Sequence, residues 1–297
     1  MNLAPITLFV YNRPWHTRQT IEALQKNELA NESELFIYSD EAKNEDARVN
    51  VDKVRRYLDN ITGFKKITVI KRDKNFGLAN SIIDGVTQIV NKYGSIVVLE
   101  DDMMTSPYFL KYMNQALNLY KNEERVASIH GYIYPIEGLP NSFFIKGADC
   151  WGWATWKNKW DIFEPDGQKL LNELTVKNLG KEADFNGSYG FTRMLKEQIN
   201  GENNSWAIRW YMSAFLKNMV TLYPGQSYVQ NIGFDSQATH CDTETDVFNV
   251  NLSMKIDLKK NKIEENLEVR KKIERFFIKL KPTLFNKIKE KLTRIIK

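Results

Sequence analysis

The chain of 297 residues has little cysteine and no long apolar segment. Cys150 and Cys241 are its two cysteines, which excludes the disulfide framework of a small secreted domain, and we expect a reducing cytoplasm. No apolar run approaches the ~20 residues of a membrane-spanning helix. Residues 1–7 lack the basic region of a signal peptide, so we expect none.

The positive charge of the protein is concentrated at its C-terminal end. Residues 254–297 contain 15 Lys and Arg against 6 Asp and Glu, a net charge of +9. The preceding 253 residues contain 27 Lys and Arg against 31 Asp and Glu, a net charge of −4. Because a nucleic-acid reader needs a basic patch on its folded body, this distribution argues against nucleic acid as a partner.

The first hundred residues alternate between strand and helix patterns. Short apolar runs predict four strands, and the segments between them have the length and periodicity of helices, at 6–11, 34–38, 66–70 and 95–99 for the strands and 14–26, 45–60 and 78–93 for the helices. Such units predict an α/β fold with an open parallel sheet and right-handed crossovers. Further along, the sequence predicts helices at 107–122 and from Trp206, and strands at 126–129 and 220–223.

Polar side chains follow each of the four predicted strands. Arg13 follows the first strand, Asp40 the second, residues 72–77 the third and residues 100–102 the fourth. Ligands of open parallel sheets bind beyond the carboxyl ends of the strands. The sequence therefore predicts a binding site at this edge of the sheet.

Glu100, Asp101 and Asp102 form the most distinctive feature of that edge. Three adjacent carboxylates repel one another unless a cation or hydrogen-bond donors compensate them. Mg²⁺ or Mn²⁺ is the natural compensation, and such an ion suits a phosphate-bearing substrate. The alternative is a solvated acidic turn.

The motifs together resemble a known family. They are FVYNRP (9–14), FIYSDEA (36–42), NFGLANSI (75–82), VVLEDDM (97–103), CWGWATW (150–156), SWAIRWY (205–211) and residues 223–241. As a set they resemble GT-A glycosyltransferases of bacterial capsule and lipopolysaccharide clusters, and the Glu-Asp-Asp motif resembles that of the N-acetylglucosaminyltransferase I group. The resemblance implies a Rossmann-like nucleotide-diphospho-sugar transferase of the hexosyl-transferring type. It covers roughly residues 4–241 and implies a nucleotide-binding half (1–105) and an acceptor half (106–253), while the composition of the chain sets apart a basic amphipathic tail (254–297).

The resemblance also implies roles for single residues. Arg13 would contact the donor diphosphate, Asp40 would accept a hydrogen bond from the uracil N3–H, and Asp102 would bind the metal. Asp101 would contact the ribose or support the ion, and His240 would lie near the metal or the phosphates. The remaining nucleoside contacts are expected from Tyr11, Asn12, Asn75, Gly77 and Leu78.

The general base of the implied reaction is not assigned by the resemblance. An inverting transfer needs a carboxylate or histidine beside the acceptor hydroxyl. Relatives carry an acidic residue after a Trp at a helix start, whereas Ala207 follows Trp206 here. Asp235, Asp149 and His240 are the candidate bases, with Asp235 slightly preferred. Without a base, a retaining route or an inactive domain would follow.

The tryptophans at 151–160 and the C-terminal tail each allow two interpretations. Trp151, Trp153, Trp156 and Trp160 are either core residues or a platform for sugar rings. The tail predicts two short amphipathic helices with a break at Pro282, and their apolar stripes suit either an anionic membrane surface or the protein body. With a glycan or lipid-linked acceptor, the first option predicts a peripheral enzyme at the inner face of the plasma membrane.

Two other functions compete with a glycosyltransferase. A nucleotidyltransferase needs a Gly- and Lys/Arg-rich turn for a triphosphate, which residues 12–15 do not supply. A non-catalytic glycan- or membrane-binding module is suggested by the tryptophans and the tail.

Overall fold

The computed structural model describes residues 3–234 and 247–280, which form helices packed on both faces of a central sheet. Its strands are β1 (Ile6–Val10), β2 (Glu34–Ser39), β3 (Lys66–Lys71), β4 (Ser95–Glu100), β5 (Met103–Thr105), β6 (Val126–His130), β7 (Ser142–Lys146), β8 (Trp153–Trp156), β9 (Val220–Pro224) and β10 (Val229–Asn231). Its helices are α1 (Pro14–Gln25), α2 (Glu45–Leu58), α3 (Leu78–Tyr93), α4 (Phe109–Tyr120), α5 (Lys157–Trp160), α6 (Gly167–Val176), α7 (Gly180–Ala183), α8 (Phe191–Ile199), α9 (Trp206–Leu216) and α10 (Leu267–Leu280), with a 3-10 turn at Ala30–Glu32.

The central sheet has eight strands in the order β3-β2-β1-β4-β8-β6-β9-β7. The first four are parallel, as their alternation with helices predicts. Strand β8 runs antiparallel between β4 and β6, β9 is parallel to β6, and β7 closes the edge antiparallel to β9. The predicted α/β fold class with a mostly parallel sheet is therefore confirmed.

The register of the parallel strands brings their carboxyl ends together. Val10 lies opposite Ser39 of β2, and Phe9 lies opposite Glu100 of β4. A second, two-stranded sheet pairs β5 with β10, with Met103 opposite Asn231. This small sheet holds the residues after β10 against the end of β4.

Alternate residues of the central strands point to opposite faces of the sheet. On one face, Leu8 and Leu99 pack with residues of α1, α2 and α4, and on the other, Phe9 and Val98 pack with residues of α3, α5 and α9. A third cluster joins β7, α6, α8, α9 and α10. The helices thus cover both faces and leave the carboxyl edge of the parallel strands for a site.

Most of the tryptophans belong to the core, which was one of the two interpretations that the sequence allowed for 151–160. Trp153 stacks on Trp206 with ring centroids 5.5 Å apart, and Trp160 and Trp210 pack beside them. Trp156 is also buried. Trp151 alone of the four predicted platform residues is partly exposed.

The first predicted tail helix exists, but its apolar face packs on the body instead of a membrane. Ile273 and Phe277 of α10 are buried in the third cluster, and Phe276 and Leu280 pack against it. Arg270 of α10 is buried as well and pairs with Glu265 at 2.8 Å. Within the ranges described, no helix is both long and apolar enough to cross a membrane.

Candidate nucleotide-sugar site

Arg13 joins the two aspartates that follow β4. Its Nη2 donates to Oδ2 of Asp102 at 2.9 Å and also to Oδ1 of Asp101, and its Nε lies 3.4 Å from the other oxygen of Asp101. Burial lowers the pKa of Arg13, but the charges of the two carboxylates outweigh burial and hold it above its ordinary value. The guanidinium therefore stays protonated between two buried carboxyl groups.

One guanidinium does not neutralise the three carboxyl groups of this cluster. Burial raises the pKa of Glu100 to about 8, with the charges of Asp102 and Asp101 adding to the rise and Arg13 opposing it. Burial also raises the pKa of Asp101 against the opposing effect of Arg13. Within the described part of the chain, Glu100 has no ion-pair partner. Glu100 is therefore mostly protonated at neutral pH, and the single guanidinium faces the two aspartates.

The backbone around the cluster is held in place by the surrounding elements. Thr20 of α1 donates to the carbonyl of Asp101 at 2.8 Å, and the Ile232 amide donates to the carbonyl of Asp102 at 2.9 Å. A Cβ on Gly233 would lie 2.2 Å from Oδ2 of Asp102, so any larger residue there would displace the Asp102 carboxylate or the backbone of residue 233. The segment after β10 therefore forms one wall of the site.

The carboxylate of Asp102 suits a divalent ion that takes its remaining ligands from a nucleotide. Oδ1 of Asp102 is buried and has no hydrogen-bond partner among the residues described. In residues 3–234 and 247–280, no group of three or more His, Cys, Asp or Glu side chains is arranged to hold a metal. Mg²⁺ at nucleotide sites commonly uses one or two carboxylates plus substrate phosphates. Asp102 meets that requirement, while a complete protein cage is absent from those ranges.

Asp40 anchors the loop between β3 and α3. Its carboxylate accepts hydrogen bonds from the backbone amides of Phe76 and Gly77, both at 2.9 Å, and from the Asn75 side chain at 3.2 Å. Its own neighbour, the Glu41 amide, donates a further bond at 2.9 Å. These donors fill the acceptor capacity of one carboxylate. The uracil contact proposed for Asp40 stays a prediction, and in this structure the side chain has a structural role.

The other predicted nucleoside contacts lie around the same edge. The hydroxyl of Tyr11 accepts a hydrogen bond from the Lys43 amide at 3.0 Å. Asn12 is partly exposed, and Leu78 is 47% exposed at the first position of α3. Gly77 precedes Leu78 with a φ of 70°, a conformation that favours glycine. These residues line the edge between Asp40 and the acid cluster, and their contacts with a nucleoside remain predictions.

Two helices begin at this edge, α1 after Arg13 and α3 after Gly77. Neither α1, preceded by Arg13, nor α3, preceded by Gly77, has a side-chain cap among the described residues. In α1 the side chain of Arg13 is directed to the aspartates instead. Uncapped helix N-termini favour negatively charged ligands because their amide groups and dipoles point outwards.

Asp149 lies in the loop before β8, the strand that pairs with β4, and belongs to a second polar group. Its Oδ2 accepts from the Tyr223 hydroxyl at 3.2 Å, and its Oδ1 accepts from the Cys150 amide at 2.8 Å and lies 3.9 Å from Nε2 of His130. Trp151 donates its amide to the same Nε2 at 3.1 Å, so that nitrogen carries no proton. The Asp149 side chain is 29% exposed, which leaves it accessible to a ligand.

The thiol of Cys150 is affected by the charges of Asp149 and of the acid cluster. Burial raises the pKa of its thiol well above the ordinary value, and the charges of Asp149, Glu100 and Asp102 add to the rise. The charges of these three carboxyl groups therefore act on one thiol. Asp149 is one of the three sequence-based alternatives for the base, and that role stays a prediction.

The other two candidate bases, Asp235 and His240, lie outside the described residues, as does the second role of His240 near the metal. Ala207, at the position where relatives carry an acid, is the second residue of α9 and packs against the tryptophan cluster. The start of α9 therefore contributes to the core and carries no acidic side chain at residue 207.

Three residues of the site were missed by the sequence analysis: His130, Tyr223 and Gly233. His130 is the last residue of β6, directly after the predicted strand 126–129, and is one of three histidines, which was the available signal. Tyr223 and Gly233 lie in the segment 223–241 that carries the resemblance, but no role was predicted for them, because their contacts with Asp149 and Asp102 join segments distant in sequence.

No family model matches the sequence, and no curated protein matches it. Among solved structures, it is similar to a mannosyltransferase from Pyrobaculum calidifontis in complex with GDP-Man and Mn²⁺ (11% identity, TM-score 0.34, 44% of this chain and 35% of that one). It is also similar to S. aureus TarS (10%, 0.38, 75% and 60%) and to a UDP-glucose pyrophosphorylase complexed with UDP-glucose (12%, 0.39, 75% and 90%). The match thus spans 35% of the mannosyltransferase and 60% of TarS. Likenesses with TM-scores below 0.5 assign no activity to this chain.

Proposed function

We propose that the protein is a metal-assisted glycosyltransferase that moves a sugar from a nucleoside-diphosphate donor to an acceptor hydroxyl. The observation that carries the proposal is the acid cluster at the end of β4, where a buried oxygen of Asp102 lacks a hydrogen-bond partner within the described ranges. The cluster lies at the carboxyl edge of a parallel sheet, where ligands of such sheets bind.

The charges of the site suit a donor with a diphosphate leaving group. Asp102 would hold a Mn²⁺ or Mg²⁺ ion, which when bound supplies a positive charge that stabilises the departing diphosphate. Arg13 presents a planar guanidinium that matches phosphate oxygens. The uncapped starts of α1 and α3 add amide donors at the same edge.

Asp149 is our choice of general base among the described residues. It is partly exposed, it lies in the loop before the strand that pairs with β4, and Tyr223 donates a hydrogen bond to it. In an inverting transfer its carboxylate accepts the proton of the acceptor hydroxyl as that oxygen bonds to the anomeric carbon. The bond from this carbon to the diphosphate oxygen breaks in the same step.

The finer features of the proposal depend on the sequence resemblance. It favours a UDP-sugar, an acceptor that is a glycan or lipid-linked saccharide, and a place in capsule or lipopolysaccharide synthesis. Membrane attachment would depend on residues 281–297, which lie beyond the described part and contain Lys287, Lys289, Lys291, Arg294 and Lys297 among apolar residues.

The proposal is tested with the purified full chain, UDP-sugars and Mn²⁺. We expect UDP with Mn²⁺ to raise the melting temperature and at least one UDP-sugar to be hydrolysed slowly to UDP. Asp102→Asn should reduce the metal-dependent hydrolysis at least 100-fold, since the direct ligand is lost. Exposed Asp73→Asn, at the same edge, is the matched control and should leave it unchanged.

Undiminished metal-dependent turnover by Asp102→Asn would remove the basis of the metal assignment. Formation of pyrophosphate from UTP and a sugar 1-phosphate would instead identify a nucleotidyltransferase. Absence of any effect of nucleotide and metal on melting would favour a non-catalytic module.

A further inference from the structure

We propose that Arg13 is a built-in counter-cation that blocks the metal site until a diphosphate draws it away. The divalent ion and the nucleotide then bind together, and the free enzyme holds the ion only weakly. This inference depends on the proposed function in one respect, namely that the incoming anion is a nucleoside diphosphate.

The first observation is that Arg13 uses the oxygens an ion would need. Its Nη2 lies 2.9 Å from Oδ2 of Asp102 and also contacts Oδ1 of Asp101, while Nε reaches the second oxygen of Asp101. Three of the four carboxylate oxygens of the pair therefore face the guanidinium. A dication at these oxygens would meet a like charge within the same contact shell.

The second observation is the unused fourth oxygen. Oδ1 of Asp102 is buried without a hydrogen-bond partner in the described part of the chain, and it belongs to a residue that is more than nine-tenths buried. A buried carboxylate oxygen without a hydrogen-bond donor lowers the stability of the fold, and a ligand that binds this oxygen would remove that cost. Arg13 thus compensates the charge of Asp101 and Asp102, but one oxygen of Asp102 still lacks a hydrogen-bond donor within the described ranges.

The third observation is the exposure of the three side chains. The side chain of Arg13 is 16% exposed, against 7% for Asp101 and 11% for Asp102. Arg13 is therefore the most exposed of the three, and an anion arriving from solvent has access to its side chain. Pro14 fixes the backbone at the start of α1, directly after Arg13.

A diphosphate can compete for Arg13 because it offers paired oxygens to a guanidinium, as a carboxylate does, and carries more charge. Once Arg13 turns to the phosphates, Asp101 and Asp102 are uncompensated and accept the ion, to which the same phosphates contribute ligands. Coupling of this kind is reciprocal, so the metal strengthens nucleotide binding by the same factor.

The experiment measures Mn²⁺ binding to the full chain by electron paramagnetic resonance, with Mn²⁺ alone and with UDP present. For the wild type we expect UDP to tighten Mn²⁺ binding at least tenfold. Arg13→Gln should bind Mn²⁺ alone at least tenfold more tightly than the wild type, because the competing charge is gone. Arg18→Gln removes a charge from an exposed position of the same helix and should leave Mn²⁺ binding unchanged.

Equal affinity of Arg13→Gln and the wild type for Mn²⁺ alone would overturn the inference. If Arg13→Gln does not fold, Arg13→Lys replaces it, because one ammonium cannot span both carboxylates as the guanidinium does. Mn²⁺ binding to Arg13→Lys should then be at least threefold tighter than to the wild type, and unchanged binding overturns the inference. Tighter Mn²⁺ binding by Arg13→Gln in a protein that does not bind UDP would refute the proposed function and the role of the diphosphate, but not the competition between Arg13 and the ion.

Discussion

Tyr223 donates its hydroxyl to Oδ2 of Asp149 across 3.2 Å, although the two residues are 74 positions apart. The bond connects β9 to the loop before β8 and leaves the other oxygen of Asp149 facing His130. Burial raises the pKa of Tyr223 well above its ordinary value, so the phenol remains a donor at neutral pH. The carboxylate is therefore held in one orientation in the loop before β8.

If Asp149 is the general base, Asp149→Asn should lower the rate of sugar transfer by about 10²–10⁴-fold. The amide cannot accept the proton of the acceptor hydroxyl but has nearly the same shape. Donor binding should persist, so the increase in melting temperature caused by UDP and Mn²⁺ serves as the control. Tyr223→Phe should reduce the rate less, by roughly tenfold, since the base loses its orienting bond but keeps its charge. A normal transfer rate in Asp149→Asn would point to Asp235 or His240 instead.

Asp40→Ala should destabilise the protein by about 3 kcal/mol, because the amides of Phe76 and Gly77 lose their charged acceptor. Urea denaturation measures this change. The loop before α3 should also lose its fixed shape, and the melting shift caused by UDP should fall with it. Asp73→Ala, in the same loop but exposed, is expected to change stability by less than about 0.5 kcal/mol. Equal stability of the two variants would contradict the anchoring role of Asp40.

Alanine substitutions of the adjacent residues Phe277 and Ile278 test whether the apolar face of α10 packs on the protein body. Phe277 is 2% exposed in the third cluster, and Ile278 is 57% exposed. Phe277→Ala should cost about 3–5 kcal/mol of unfolding free energy, whereas Ile278→Ala should change it by about 0.5 kcal/mol or less. Denaturant unfolding of both variants at one temperature gives the comparison. Similar values for the pair would mean that the apolar face of α10 is available for another surface.

His130 should make the protein less stable in mild acid. Burial lowers its pKa below 6.5, and the charge of Asp149 offsets only part of that effect. The unfolded chain therefore binds a proton at His130 before the folded chain does, and this contribution to stability is lost as the pH falls below about 6.5. His130→Gln keeps an acceptor for the Trp151 amide and removes the titration. Its urea midpoint should fall less than that of the wild type between pH 7.5 and 5.5, and an equal fall would refute the assignment.

The four parallel strands and their helices were predictable because their signals are local. Helix α3 was predicted to run from Leu78 to Tyr93 and does so, since an apolar stripe and the glycines at its two ends mark it in the sequence. Strand β8 was not predicted, because its four residues are buried on both faces and show no alternation. The same tryptophan-rich pattern is compatible with a core and with a sugar platform.

The α/β class, the candidate edge of the sheet and the carboxylates at the end of β4 could be predicted from the residues alone. Strand and helix periodicities, and the residues that follow each strand, are properties of short segments. The folded chain was needed to show that Arg13 pairs with Asp101 across 88 positions, that Asp40 holds the α3 loop, and that α10 packs on the body. These contacts join segments that are distant in sequence. An apolar or charged side chain can pair with many others of suitable type, and the sequence alone does not show which of them the fold brings close.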